Sequence, residues 1–111
     1  MYTNLKVWQS SMELVELVYK LTQTFPDVEK FNLVTQINRS AVSIPSNIAE
    51  GRGRSSDKEF KQFLYIARGS LNELRTQLEL ARRLKYIKSD REIKDKIVEV
   101  ESMLNTLIKK L

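Results

Sequence analysis

Two stripes of equal step run through residues 32–54. Leu33, Ile37, Ala41, Ile44 and Ile48 are apolar at spacings of 4, 4, 3 and 4, and Arg39, Ser43, Asn47, Glu50 and Arg54 are polar at the same spacings. Position 39 lies about 200° around a helix from position 37, so the stripes face opposite ways. The pattern predicts a helix over Asn32–Glu50 with one dry face and one face of small polar groups. Pro45 falls inside it, removing a hydrogen bond and crowding the carbonyl of Ala41. A kink is expected there, with a full break and a new short helix capped by Ser43 as the competing outcome. Gly51 is placed to end the helix in the left-handed conformation.

Three more helices flank this one. Leu5, Trp8, Met12, Val15 and Tyr19, beside Leu14, Leu17, Leu21 and Phe25, predict a first helix from Asn4 to Thr24 whose dry surface is wider than one core needs. Pro26 ends it, Asp27 to Phe31 reads as a turn or a single helical turn, and Asn32 is positioned as the next cap. Ser56 and Glu59 form a capping box for a third helix over Asp57–Lys85. Along it Phe60, Leu64, Ala67, Leu71, Leu74, Leu78 and Ala81 alternate by 4 and 3 in a coiled-coil-like seam, widened by Phe63, Ile66, Leu80 and Leu84. Gly69 interrupts this helix and points to a close backbone approach or a local bend. Ser89 and Glu92 suggest a second capping box, and Ile93, Ile97, Val100, Leu104, Leu107 and Leu111 carry a fourth helix to the end. Short loops and no strand signal make the chain an all-α, antiparallel up-down four-helix bundle in one domain, residues 1–111.

Composition narrows the class. The 111 residues are 41% hydrophobic and 30% charged, which suits a soluble globular domain. No apolar run approaches the roughly 20 residues of a membrane span. The N-terminal stretch lacks a signal-peptide layout, and cysteine is absent, so a cytoplasmic protein is the expectation.

Charge is unevenly placed. Residues 51–88 hold ten Lys/Arg against four Asp/Glu, a net +6, while the whole chain carries +5. Lys61, Arg68, Arg75 and Arg82 recur every seven residues and so form one ridge, with successive charges about 10 Å apart. Arg52, Arg54 and Lys58 extend it through the preceding loop, and Arg83, Lys85 and Lys88 gather at the far end. Such a ridge suits an RNA or DNA backbone. The same positions flank a helical seam, where charged residues commonly form salt bridges between helices; Glu13, Glu16 and the acids of the fourth helix are available partners. Both readings stay open at this level. The aromatics Trp8, Tyr19, Phe25, Phe31, Phe60 and Phe63 lie at apolar spacing and are assigned to the core; Tyr65 and Tyr86 sit off the seam and are assigned to the surface or to contacts between subunits.

Catalytic chemistry finds little purchase. With no histidine and no cysteine, the common base, the common nucleophile and most metal sites are missing, so no enzyme, cofactor or metal is expected. Asn47 and Glu50, beside Pro45, form the only polar pair in an unusual setting. Their expected role is structural, satisfying backbone groups that the proline frees or capping a neighbouring helix.

The chain resembles, from end to end, the four-helix-bundle proteins encoded in intervening sequences of bacterial large-subunit ribosomal RNA genes. The resemblance rests on Val7-Trp8-Gln9, Phe25-Pro26 and Gln36-Ile37 with Arg39. It rests most on the run from Ser43-Ile44-Pro45-Ser46-Asn47 to Ile48-Ala49-Glu50-Gly51, and then on Phe63 to Leu71 with Glu73-Leu74. The family commonly has two adjacent basic residues where this chain has Asn38-Arg39. The resemblance implies a ring-like homopentamer, with Ser43, Pro45, Asn47, Glu50 and Gly51 as its structural motif. It also implies kinship with the accessory protein of diversity-generating retroelements, which works with a reverse transcriptase and RNA. Two functions follow as expectations. One is an accessory protein binding RNA or DNA through Arg39, Arg52, Arg54, Lys58, Lys61, Arg68, Arg75, Arg82 and Arg83. The other is a scaffold for a protein such as a reverse transcriptase, with no nucleic acid involved.

Overall fold

A computed structural model describes all of residues 1–111 as four helices: α1 (Lys6–Thr22), α2 (Leu33–Arg52), α3 (Asp57–Arg83) and α4 (Arg91–Lys110). Short 3-10 turns precede α1 and join it to α2. The expected seams of α2 and α3, with Ile93, Ile97, Val100 and Leu104 of α4, make most of the core. α1 buries Val7, Leu14 and Val18, whereas Leu5, Trp8, Met12, Val15 and Tyr19 of its expected stripe lie half-buried or exposed. Leu14, Val18, Ile37, Ala41, Ile44, Ile48, Leu64, Ala67, Leu71, Leu74, Val100 and Leu104 are fully buried. The body measures 43 × 24 × 20 Å, about the length of its longest helix. Thr22 reaches Asn38, Ser43 reaches Ser70, Arg75 reaches Glu101 and Lys96 reaches Glu13, so each neighbouring pair of helices is antiparallel. No helix is long and apolar enough to cross a membrane.

α2 and α3 make the most extensive contact, and small residues explain why. Ser40, Gly51, Ala67 and Ser70 are buried between them, and at Gly51 a β-carbon would lie only 2.6 Å from Cβ of Phe63. Gly51 is therefore a packing residue. It is right-handed like every glycine here, and α2 continues past it to Arg52, so it does not terminate the helix as its sequence position suggested. Pro45 is buried inside the same unbroken helix, which rules out a break capped by Ser43.

Several ends differ from the sequence pattern. Leu5 is extended and delays α1 to Lys6. Asn32 holds the cap position of α2 without a side-chain bond; the carboxylate of Glu29 lies 3.5 Å from the Leu33 amide instead. The Ser56 hydroxyl accepts the Glu59 amide at 3.2 Å, so the first capping box forms, but Asp90 starts α4 with no cap bond and the second box does not. α3 stops at Arg83, and Lys85, at φ 65°, takes the left-handed position usually held by glycine. Around it the Tyr86 amide donates to Ala81 and the Lys85 amide to Arg82, both at 3.0 Å. Gly69 meets nothing within 4 Å of a notional β-carbon and sits exposed in a continuous helix, so no close approach within the subunit accounts for it. Three aromatics assigned to the core are outside it: Tyr19 is 44% exposed, Phe31 is 87% exposed, and Phe63 is half-buried against Gly51 and Arg54. Tyr86 turns inward, its ring packed at a tilt against Phe25 with centroids 5.5 Å apart, and donates to Glu29 at 2.8 Å.

Candidate nucleic-acid interface

Three of the four cations in the seven-residue repeat on α3, Arg68, Arg75 and Arg82, reach acceptors on α4 or at its start. Arg75 forms a two-point ion pair with Glu101, at 2.7 and 2.9 Å. That bond holds the Glu101 carboxyl below the ordinary glutamate range and raises the guanidinium above its own. Arg82 pairs with Asp90 and Glu79, and Arg83 joins Glu79 at 3.2 Å. Arg68 donates to Asn105 at 3.0 Å and lies 4.9 Å from the Tyr65 ring centre. The upper ridge is thus engaged within the subunit, largely with acceptors on or next to α4. Glu13 takes Lys96 instead, at 3.1 Å.

The remaining cations have a different setting. Arg39, Arg52, Lys58 and Lys61 belong to no ion pair. Arg54 pairs with Glu50 at 2.6 Å and lies 4.8 Å from the Phe63 ring centre. In an antiparallel bundle the end of α2, the start of α3, the start of α1 and the end of α4 share one pole. Lys6 and Lys110 do line one groove there with Leu5, Met103 and Leu107. Arg52, Lys58, Lys61, Lys6, Lys109 and Lys110 therefore collect at this pole as unpaired cations. Sequence reasoning missed Lys6, Lys109 and Lys110, because the charge count was taken along the chain; folding the up-down topology first would have joined them to the loop.

The polar stripe of α2 divides. The Asn47 amide donates to the carbonyl of Ser43 at 2.8 Å and to its hydroxyl at 2.9 Å, a local backbone role beside Pro45. Glu50 faces solvent and takes only Arg54, so it neither serves the proline nor caps a neighbour. Asn38 is half-buried and accepts from Thr22 at 3.0 Å, joining α1 to α2. No group of three or more histidine, cysteine or acidic residues is arranged to hold a metal.

Residues 3–106 match the family model described as 23S rRNA-intervening sequence protein. The fold is also that of a crystal structure from Bacteroides thetaiotaomicron VPI-5482, a protein of unknown function from the S23 ribosomal protein family. That protein is 31% identical, with a TM-score of 0.85 over 98% of this chain and 99% of the other. Among curated proteins none is a significant match.

Proposed function

The chain belongs to the 23S rRNA-intervening sequence protein family, and on that premise we propose that it is a cytoplasmic, non-enzymatic, homo-oligomeric accessory protein that holds RNA or DNA electrostatically. The reading rests on one observation: the unpaired cations gather at the pole where α2 meets α3, while Arg75 and Arg82 are spent on Glu101, Glu79 and Asp90. Unpaired lysines and arginines bind phosphates by releasing counterions and read no sequence. Arg75 and Arg82 add positive potential, but their donors are committed. This moves the contact from the length of the α3 ridge to its Lys61 end and the Arg52–Lys58 connection.

Self-association has its own support. Ile66 and Leu80 on α3 and Leu84 at its C-terminal cap are 50%, 48% and 47% exposed. They lie near one line with Gly69 on a face turned away from the core. The assembly proposed is the ring of five implied by the family resemblance.

Charge reversal of Arg52, Lys58 and Lys61 together is the test. Loss of binding to a structured RNA at physiological salt by a folded variant supports the reading; unchanged binding overturns it.

A protein-scaffold role is favoured by a separate feature. Val28 and Phe31 stand exposed on the α1–α2 connection, which Tyr86 ties down through Glu29. Under that reading the tip docks a partner such as a reverse transcriptase, and the complex survives nuclease treatment.

A further inference from the structure

The groove between α2 and α3 is not used by the basic pole. On its wall Ser43 Oγ and Ser70 Oγ lie 2.8 Å apart. Because the two helices are antiparallel, Arg39 comes level with Glu73, and Gln36 with Gln77, one and two turns from that contact. This stretch has a volume of about 300 Å³ and no apolar lining residue. Arg39 and Glu73 share it yet pair neither with each other nor with any other charge. Gln77 Oε1 is the single buried side-chain polar atom in the chain without a hydrogen-bond partner. Buried polar atoms are nearly always partnered, so an orphan beside two unpaired charges marks a place where something else supplies the partners.

The opposed charges sum to zero, so the groove does not select a phosphate. It suits a neutral, planar group with acceptors on one edge and donors on another. Guanine has N7 and O6 as acceptors on one edge and N1–H and N2–H₂ as donors on the next. A guanidinium makes a two-point contact with O6 and N7. The Glu73 carboxylate accepts N1–H and one N2–H, and the Gln77 carbonyl, turned into the groove by a rotation of its amide, accepts the other. Adenine puts a donor in place of O6, towards Arg39, and an acceptor in place of N1–H, towards Glu73, and is repelled at both.

We propose that the α2–α3 groove holds one unpaired guanine of the bound nucleic acid, between Arg39 and Glu73. This rests on the nucleic-acid reading above and adds base recognition to it. Three fluorescently labelled RNA hairpins that differ at one loop position, carrying guanine, inosine or adenine, test it by anisotropy titration against the whole protein. The expected order is guanine tightest, inosine weaker for want of the N2 amino group, and adenine weaker on the order of tenfold, the scale of one two-point base contact. Glu73→Ala, at an exposed helical position, leaves Arg39 in place and is expected to narrow the guanine-over-adenine preference while leaving the salt dependence unchanged. Equal affinity for the three hairpins with a steep salt dependence overturns the groove and leaves the basic pole standing; no binding at low salt overturns both. A Glu73→Ala variant whose preference is undiminished, or whose native mass changes, also overturns the groove, the latter by making it a contact between copies.

Discussion

The guanidinium of Arg75 and the carboxylate of Glu101 meet edge to edge, at 2.7 and 2.9 Å, and join α3 to α4 at mid-height. The hydrogen bond from Arg75 is the main reason the Glu101 carboxyl titrates below the usual glutamate range; partial burial opposes it, and the charges of Arg75 and Arg68 add to it. A depressed carboxylate stabilises the fold above its unfolded pKa, and that stability is lost as pH falls through the folded value. Solvent reaches about a third of each side chain, which screens the pair. Glu101→Gln is therefore expected to cost about 0.5–1.5 kcal/mol at pH 7. Its denaturation curve should converge on that of the wild type below the ordinary glutamate range. A gap that persists at low pH contradicts the assignment.

The two helical glycines are expected to respond in opposite ways to alanine. At Gly51 a β-carbon meets Cβ of Phe63 at 2.6 Å and the Phe60 ring at 3.0 Å. Since Cβ of Phe63 moves only with its helix, overpacking of about 1–3 kcal/mol outweighs the helix-propensity gain of about 1 kcal/mol. Gly69 meets nothing, so Gly69→Ala gains about 0.5–1 kcal/mol within the subunit. Chemical denaturation of both variants checks the pair; stabilisation by Gly51→Ala sinks the packing account.

Lys85 occupies a left-handed position at φ 65° that glycine adopts without a β-carbon penalty. Lys85→Gly is expected to raise stability by up to about 1 kcal/mol, reduced by the greater freedom glycine has when unfolded. A lower midpoint in a urea titration would show that the lysine side chain contributes more than its backbone costs.

Much of the fold was legible because the apolar spacing directly encodes which helix face is dry. Four helices, their order and the core faces of α2 and α3 follow from it, while Val7 and Val18 of α1 and Ile108 of α4 are core residues that the expected stripes passed over. The α3 ridge was legible only as a pair of alternatives. Steps of seven place Lys61, Arg68, Arg75 and Arg82 on one line, but whether Glu101 and Asp90 stand opposite depends on the register of α4, which spacing does not fix. Gly51 shows another limit. A glycine at the end of a helical pattern signals a left-handed cap, and only the approach of Phe63 reveals packing. Phe31 has the spacing of a core residue and lies outside because the connection from Pro26 to Asn32 turns it to solvent.

Self-association is tested on the α3 face. Ile66→Glu with Leu80→Glu alters two half-exposed positions and leaves the 21 buried core residues intact. The double variant is expected to stay helical while its native mass falls towards that of one subunit. An unchanged mass excludes this face from the assembly.

The central claim is that nucleic acid meets the basic pole, and the salt dependence of binding tests it most directly. Anisotropy of a labelled, structured RNA is titrated over a series of salt concentrations with the wild type, with Arg52→Glu/Lys58→Glu/Lys61→Glu and with Arg75→Gln/Arg82→Gln. The wild type is expected to bind with a multi-charge slope of log affinity against log salt, since each phosphate contact contributes roughly 0.7–0.9 to it. Loss of the pole cations is expected to lower that slope by at least two, and the Arg75/Arg82 variant to leave it almost unchanged. A slope that falls with Arg75 and Arg82 while surviving reversal of the pole contradicts the account and returns the contact to the ridge.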